Sequence, residues 1–319
     1  MSGNESKRVI GGPDEAGRAG VHEAVGRWVA APALRTLAER FGFAWPEDAS
    51  VTALVQDLEI WSRDVWDFRH GKERWDAAEL EADVATKTAV MDAAAELGLV
   101  GTSIPSLAPA DAVIILGGGF LTPLYRSRHA AAAAEALGCS RIISLGTGRP
   151  LAGEREVALS AEYAPGASTE FDLMEAAARS AFGLSEPASV EQGVAPGSGE
   201  EQHRAWQHSL ILGDGITLEV LRAPSTDPSR RANTRDTYRF LIERLDLGVS
   251  PRVAIATTSI FVPFQHFDAL NILGEITTAN VETTGFDVMT GPNPATPSNL
   301  LQEVRSGIFS AMVALEAHA

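Results

Sequence analysis

Ala112-Val113-Ile114-Ile115-Leu116-Gly117-Gly118-Gly119 is the stretch on which the fold turns. A short unbroken apolar run closed by glycines reads as a strand buried on both faces of a parallel sheet. An alanine-rich helix is predicted to follow at about 127–137. Arg141-Ile142-Ile143-Ser144-Leu145 then repeats the strand signal and ends in Gly146-Thr147-Gly148. Further along, the pattern predicts a helix at 169–182, strands at 209–212 and 217–221, a helix at 234–245 and a strand at 252–257. Another helix starts near Pro263, with a last strand at 280–284 and a closing helix at 299–317. The Gly/Pro/Ser/Glu-rich stretch 185–201 reads as a loop. Strands alternating with helices predict a three-layer, Rossmann-like α/β domain with a mostly parallel sheet.

Upstream, residues 14–99 read as helices. Val21, Val25, Trp28 and Val29 recur at helical spacing, as do Leu54, Leu58, Trp61 and Val65. Pro32 interrupts the first helix, and a third is expected at 76–97, stopped by Gly98. A connector at 101–109 divides a helical N-terminal region, 1–105, from the α/β domain, 106–319.

The 319 residues carry 26 basic and 42 acidic side chains, a net charge of −16. So acidic a surface repels phosphate backbones, and the basic residues are scattered, which argues against nucleic acid as a partner. Cys139 is the single cysteine, so no intrachain disulfide forms. Residues 1–12 lack the apolar core of a signal peptide. The apolar-rich stretches 112–125 and 253–267 fall short of the roughly 20 residues that span a bilayer. The expectation is a cytoplasmic protein without a membrane partner, with oligomerisation left open.

In an open parallel sheet the ligand sits beyond the carboxyl ends of the strands. That rule selects Gly117–Gly119, Gly146–Gly148, the segment 224–233 and Thr258-Ser259. Glycines there let backbone N–H groups approach a ligand, and helix starts favour negative charge. The triplet continues Phe120-Leu121-Thr122, so the third glycine of a dinucleotide fingerprint is missing, and no acid closes the second strand. No P-loop and no G-x-S-x-G elbow occurs. His203 and His208 are five apart, the wrong spacing for two metal ligands on one helical face, so no metal site is expected. Thr169 with Asp172, and Asn233 with Asp236, have capping-box spacing; each can serve a helix start, a ligand, or both.

Taken together, Asp111, Gly117-Gly118, Arg126 or Arg128, Gly146-Thr147-Gly148, Thr169-Glu170, Asn233-Thr234-Arg235-Asp236 and Thr258-Ser259 resemble the motif series of the YdcF/ElyC/SanA family. The likeness runs over about 111–268, half the chain, in the family's order. It departs where Val262 stands at the usual His and Gln265 at the usual Arg, although His266 is adjacent, and where Gly-Thr-Gly replaces Ser-Gly-Gly. The envelope-linked members carry an N-terminal membrane segment, and none is expected here, so the likeness implies a divergent, cytoplasmic branch.

The resemblance implies a small-molecule pocket, with S-adenosylmethionine as a candidate ligand. The first expectation is an enzyme acting on a small polar or nucleotide-like metabolite. Glu170 is the general acid/base candidate, His129 and His266 are alternatives, and Asn233, Thr258 and Gln265 orient the substrate. The remaining binding candidates are Gly119, Thr234, Asp236 and Ser259. The alternative is a non-catalytic binding or sensor domain using the same pocket. A third reading, an interaction protein of envelope metabolism, is opposed by the missing anchor. Trp61, Trp66, Phe68 and Trp75 either pack the helical region onto the sheet or form a lid over the crevice.

Overall fold

Eight strands form one sheet in the order β1-β8-β7-β2-β3-β6-β5-β4 in the computed structural model, which describes residues 10, 13–71, 77–227, 229–275, 277–291 and 293–319. The strands are β1 (Asp14–Glu15), β2 (Ala112–Leu116), β3 (Arg141–Thr147), β4 (Ser189–Val194), β5 (Ala205–Gly213), β6 (Ile216–Ala223), β7 (Arg252–Thr258) and β8 (Asn280–Phe286). The helices are α1 (Arg18–Val29), α2 (Pro32–Arg40), α3 (Val51–Val65), α4 (Val84–Glu96), α5 (Thr122–Leu137) and α6 (Gly153–Ser160). They continue as α7 (Glu170–Phe182), α8 (Glu201–Arg204), α9 (Thr234–Arg244), α10 (Val262–Leu273) and α11 (Pro297–Ala317).

The pairs β8–β7, β7–β2, β2–β3 and β3–β6 are parallel. Counted along the chain, these five strands lie in the order 3-2-1-4-5, the Rossmann arrangement, so strand order reverses between β2 and β7. β1 joins the β8 edge antiparallel, and β5 and β4 extend the β6 edge antiparallel. The β5–β6 turn is Asp214-Gly215, both at positive φ, as a two-residue hairpin loop requires.

Every residue of β2 is buried because alternate side chains feed two cores. Val113 and Ile115 pack beneath α5 and α7 with Ala130, Ala134 and Met174; the alanines of α5 let that helix lie close to the sheet. Ile114 and Leu116 face the opposite side, where α1 to α4 join α9, α10 and α11 in one apolar cluster running from Ile10 to Leu315. Trp28 sits at its centre, edge-on to Phe267 at 5.5 Å. The cluster crosses the division expected at 105/106: the N-terminal helices extend a core that the rest of the chain begins.

Several elements differ from the sequence reading: Asp14–Glu15, inside the stretch expected to be helical, form strand β1; α6 is unexpected; and β5 begins at Ala205. β4 lies within the stretch expected to be a loop; its residues are mostly exposed, so they lack the apolar run that marks a central strand. Helix α4 begins at Val84, where the Asp83 carboxylate accepts from Thr86 N, rather than near 76. Asp76, Arg74 and Trp75 lie outside the described residues. Helix α5 begins at Thr122 because Pro123 suits a first turn, whose N–H groups have no helical partner. Among the described residues no helix is long and apolar enough to cross a membrane.

Candidate functional site

The rim where β2, β3 and β7 end carries a cavity of about 340 Å³ lined by Gly117, Gly118, Gly119, Thr147, Glu170, Asn233, Thr234 and Gln265, among others. Four turns far apart in sequence therefore meet, at the topological switch point. A second cavity of about 630 Å³ shares Gly119, Thr147, Arg149 and Arg231 with the first and adds Gly148, Arg69 and His203. A third, of about 390 Å³, holds Thr258 and shares Phe261 with the first. Thr122 lines all three, so they are arms of one crevice.

Glu170 is the first residue of α7, set there by a complete capping box between Thr169 and Asp172. Its side chain is buried, and Oε2 accepts the hydroxyl of Thr147. A Cβ on Gly117 would fall 2.5 Å from Glu170 Oε1 and 2.9 Å from the Leu145 carbonyl oxygen, so glycine lets the strand end pass between this carboxyl and the β3 backbone. Burial pushes the Glu170 carboxyl above the usual glutamate range; the Thr147 hydrogen bond and the charges of Arg149 and Arg126 offset this only in part.

Arg126 is buried on α5 and closes the floor of the crevice. Its Nε donates to Thr258 Oγ1 at 3.1 Å, and its Nη1 donates to the carbonyls of Leu116, at 3.0 Å, and Gly117. One guanidinium thus ties the ends of β2 and β7 together. Its plane also lies over the Phe261 ring, 5.4 Å from the centroid.

Glu156 is a second buried carboxylate close by, with a different environment. It accepts two hydrogen bonds from Arg149, at 2.8 and 3.0 Å, and others from Phe120 N, at 2.8 Å, and Ala152 N. Burial raises its pKa, but the Arg149 and backbone donors outweigh that and hold it below the usual range. Two neighbouring carboxyls pushed in opposite directions are the arrangement in which one can carry a proton and the other stay charged.

The other binding candidates divide by role. Thr258 and Gln265 line the crevice, with Gln265 Oε1 accepting from Thr257 Oγ1. Asn233 and Thr234 line it from the start of α9, where Asn233 Oδ1 caps the N–H groups of Arg235 and Asp236. Ser259 is turned inward, its Oγ accepting from Val288 N at 3.0 Å. Gly146 is a packing position, since a Cβ there would lie 3.1 Å from Met174 Cγ. Gly148 lines the second cavity with the Arg222 guanidinium pressed against it, 2.5 Å from where a Cβ would be.

Five further residues named from the sequence do not reach the crevice. His266 follows Gln265 by one residue, about 100° around the helix, and faces β8 and β1; its Nδ1 meets Thr283 Oγ1 and its Nε2 meets Asp14 Oδ2, both at 3.0 Å. His129 lies one turn beyond Arg126 and faces Thr284 Oγ1 at 3.0 Å; burial brings its pKa down to about 4, so it is a neutral packing residue. Arg128 is exposed and lies over the Tyr125 ring. Asp236 is committed to Arg230, at 2.6 Å, and to Thr226. Asp111 sits at the opposite end of β2, accepting from Arg252 N.

Sequence reasoning missed Arg149, Glu156 and Arg69. Trp66 is fully buried, which makes it packing, yet three residues later Arg69 lines the second cavity. The backbone there is pinned to α11 by Gln302 Oε1, which accepts from Phe68 N at 2.9 Å and Arg69 N at 3.3 Å. Arg69 itself pairs with buried Glu303. Among its described residues the aromatic stretch therefore sends a cation, rather than a ring, to the crevice.

A family model described as the Rv3785 N-terminal domain matches residues 12–98. Uncharacterized protein Rv3785 of Mycobacterium tuberculosis (strain ATCC 25618 / H37Rv) is 32% identical over 333 residues, covering 95% of this chain and 92% of that protein. Uncharacterized protein Mb3814 of Mycobacterium bovis matches with the same identity and coverage. No solved structure matches the chain.

Proposed function

With the chain belonging to the family of the Mycobacterium tuberculosis protein Rv3785, we propose that it is an enzyme acting on a small polar, nucleotide-like metabolite in the crevice above β2 and β7, with Glu170 as its proton donor. The observation that carries this reading is the Glu170 carboxyl: buried, bonded to Thr147 and pushed toward its protonated form at the floor of the crevice. Support for an anionic substrate comes from the described lining of the three arms, which includes Arg69, Arg126, Arg149, Arg155 and Arg231 against Glu170 and Glu303, in a chain of net charge −16. The likeness to the YdcF/ElyC/SanA family belongs to the same reading, supported by the meeting of its motif turns at one rim. So does a cytoplasmic location, in keeping with a single cysteine. S-Adenosylmethionine stays in the ligand panel, though the arginines favour a phosphate over its sulfonium.

The test is a thermal-shift screen against nucleotides, sugar phosphates and S-adenosylmethionine, followed by mass spectrometry of incubated hits. A ligand bound only by the folded protein raises its melting temperature. Wild type is expected to form product, and Glu170→Gln to bind but form none. Equal product from both proteins removes Glu170 from the chemistry. A binding-only or sensor role is favoured by one observation: His129 and His266 face away from the crevice, so neither serves as a partner to Glu170. Saturable binding to wild type with no product selects that role.

A further inference from the structure

The arms of the crevice differ in chemistry. The second cavity, about 630 Å³, is walled by Arg69, Arg149, Arg231, His203 and the backbone of Gly148. The third, about 390 Å³, is walled mainly by the rings of Phe120, Phe261 and Phe286 with Ile260 and Val288, and Arg155 lies over the Phe120 ring. Asn299 also lines it, with Oδ1 committed to Thr296 N, which leaves the amide nitrogen as the group it offers. The Arg69–Glu303 pair joins the two arms, since Arg69 lines one and Glu303 the other.

Phe120 lines both arms, in a conformation that L residues seldom adopt, φ +55°. Its backbone is clamped at both ends. Its N–H donates to buried Glu156 at 2.8 Å, and its carbonyl accepts from Tyr163 Oη at 2.6 Å. A side chain held against its backbone preference, at the junction of a cationic and an aromatic compartment, is a divider that the surroundings maintain. Gly119 belongs to the same device, because a Cβ there would meet Glu156 Oε1.

Building on the reading of the crevice as a small-molecule site, we propose that it takes a two-part ligand, an anionic group carried on a flat aromatic ring, of which a nucleoside phosphate is the type. The anion lies among Arg69, Arg149 and Arg231, and the ring lies between Phe120 and Phe261, with its polar edge toward Asn299. A linear alkyl chain is the occupant disfavoured by three rings and an amide in one arm.

Isothermal titration of the full chain tests this with AMP, GMP, CMP and UMP, with ribose 5-phosphate as an anion lacking the ring, and with dodecyl phosphate as an anion on a chain. At least one nucleotide is expected to bind about tenfold more tightly than ribose 5-phosphate, the size of one base–aromatic stack. Phe120→Leu should remove most of that advantage, and Arg231→Gln should weaken both nucleotide and ribose 5-phosphate. Equal binding of nucleotides and ribose 5-phosphate overturns the ring arm, as does tighter binding of dodecyl phosphate. In either case, continued sensitivity to Arg231→Gln leaves the crevice reading standing. A panel in which no compound binds overturns both.

Discussion

Glu170 at the carboxyl rim and Asp14 at the β1–β8 edge are both buried carboxyl groups, and their surroundings could hardly differ more. Asp14 receives Arg27 Nη2 on both oxygens at 2.8 Å and meets His266 Nε2 at 3.0 Å. Burial raises its pKa, and His266 and Arg27 together bring it below the ordinary aspartate value. Glu170 has the Thr147 hydroxyl, and among the described residues no guanidinium donates to it. A carboxylate compensated on every side holds structure together; one buried with a single hydroxyl is a proton-bearing group whose cost is met elsewhere in the fold.

The comparison can be broken most sharply at the edge. Asp14→Asn should cost about 3 kcal/mol, because it leaves His266 and Arg27 facing an uncharged partner; a denaturant midpoint within error of wild type would mean the edge network is ornamental. The Asp14 contribution is present above the unfolded aspartate pKa and is lost as pH falls through its lower folded value. The rim predicts the opposite sign. A raised folded pKa means that the native state holds its proton longer, so wild-type stability falls as pH climbs from the ordinary glutamate value through the Glu170 value. Glu170→Gln keeps an acceptor for Thr147 and should therefore stabilise by about 1–2 kcal/mol at pH 8, with the gain vanishing in acid; thermal melts at both ends of that range decide it. Thr169→Ala should cost about 1 kcal/mol at neutral and alkaline pH alike, as the loss of a cap does. Its effect separates the placing of α7 from the ionisation of the residue it places. Smallest is Arg128→Ala, expected within about 0.5 kcal/mol and silent in ligand titration. A loss of binding in that variant would redraw the boundary of the crevice.

The helix caps and central strands were legible because each is written locally. Thr169 with Asp172 and Asn233 with Asp236 close capping boxes at the spacing the sequence displays. β2 carries the uninterrupted apolar run of a strand covered on both faces, and in β3 the run from Ile142 to Leu145 is broken only by Ser144. Side-chain direction was less legible: Gln265 and His266 are neighbours, and only the seating of α10 decides which of them meets the crevice. Arg69 was hidden for another reason. Its neighbourhood is aromatic and reads as core, which is true of Trp66, while the cation's place depends on Gln302 and Glu303, more than 200 residues away. β4 escaped notice because an exposed edge strand needs few apolar residues, so the periodicity that marks a strand never develops.

The two residues of β1 have a consequence for how the chain is made. Asp14 and Glu15 pair with Val281 and Asn280, and Asp14 meets a histidine 252 positions downstream. Asp14 and Glu15 leave the ribosome long before their partners and are therefore late to find their place, and closing so long a loop slows the final docking step. A nascent chain stalled before Asn280 should leave the segment around Asp14 open to protease, and release of the remaining residues should shut it.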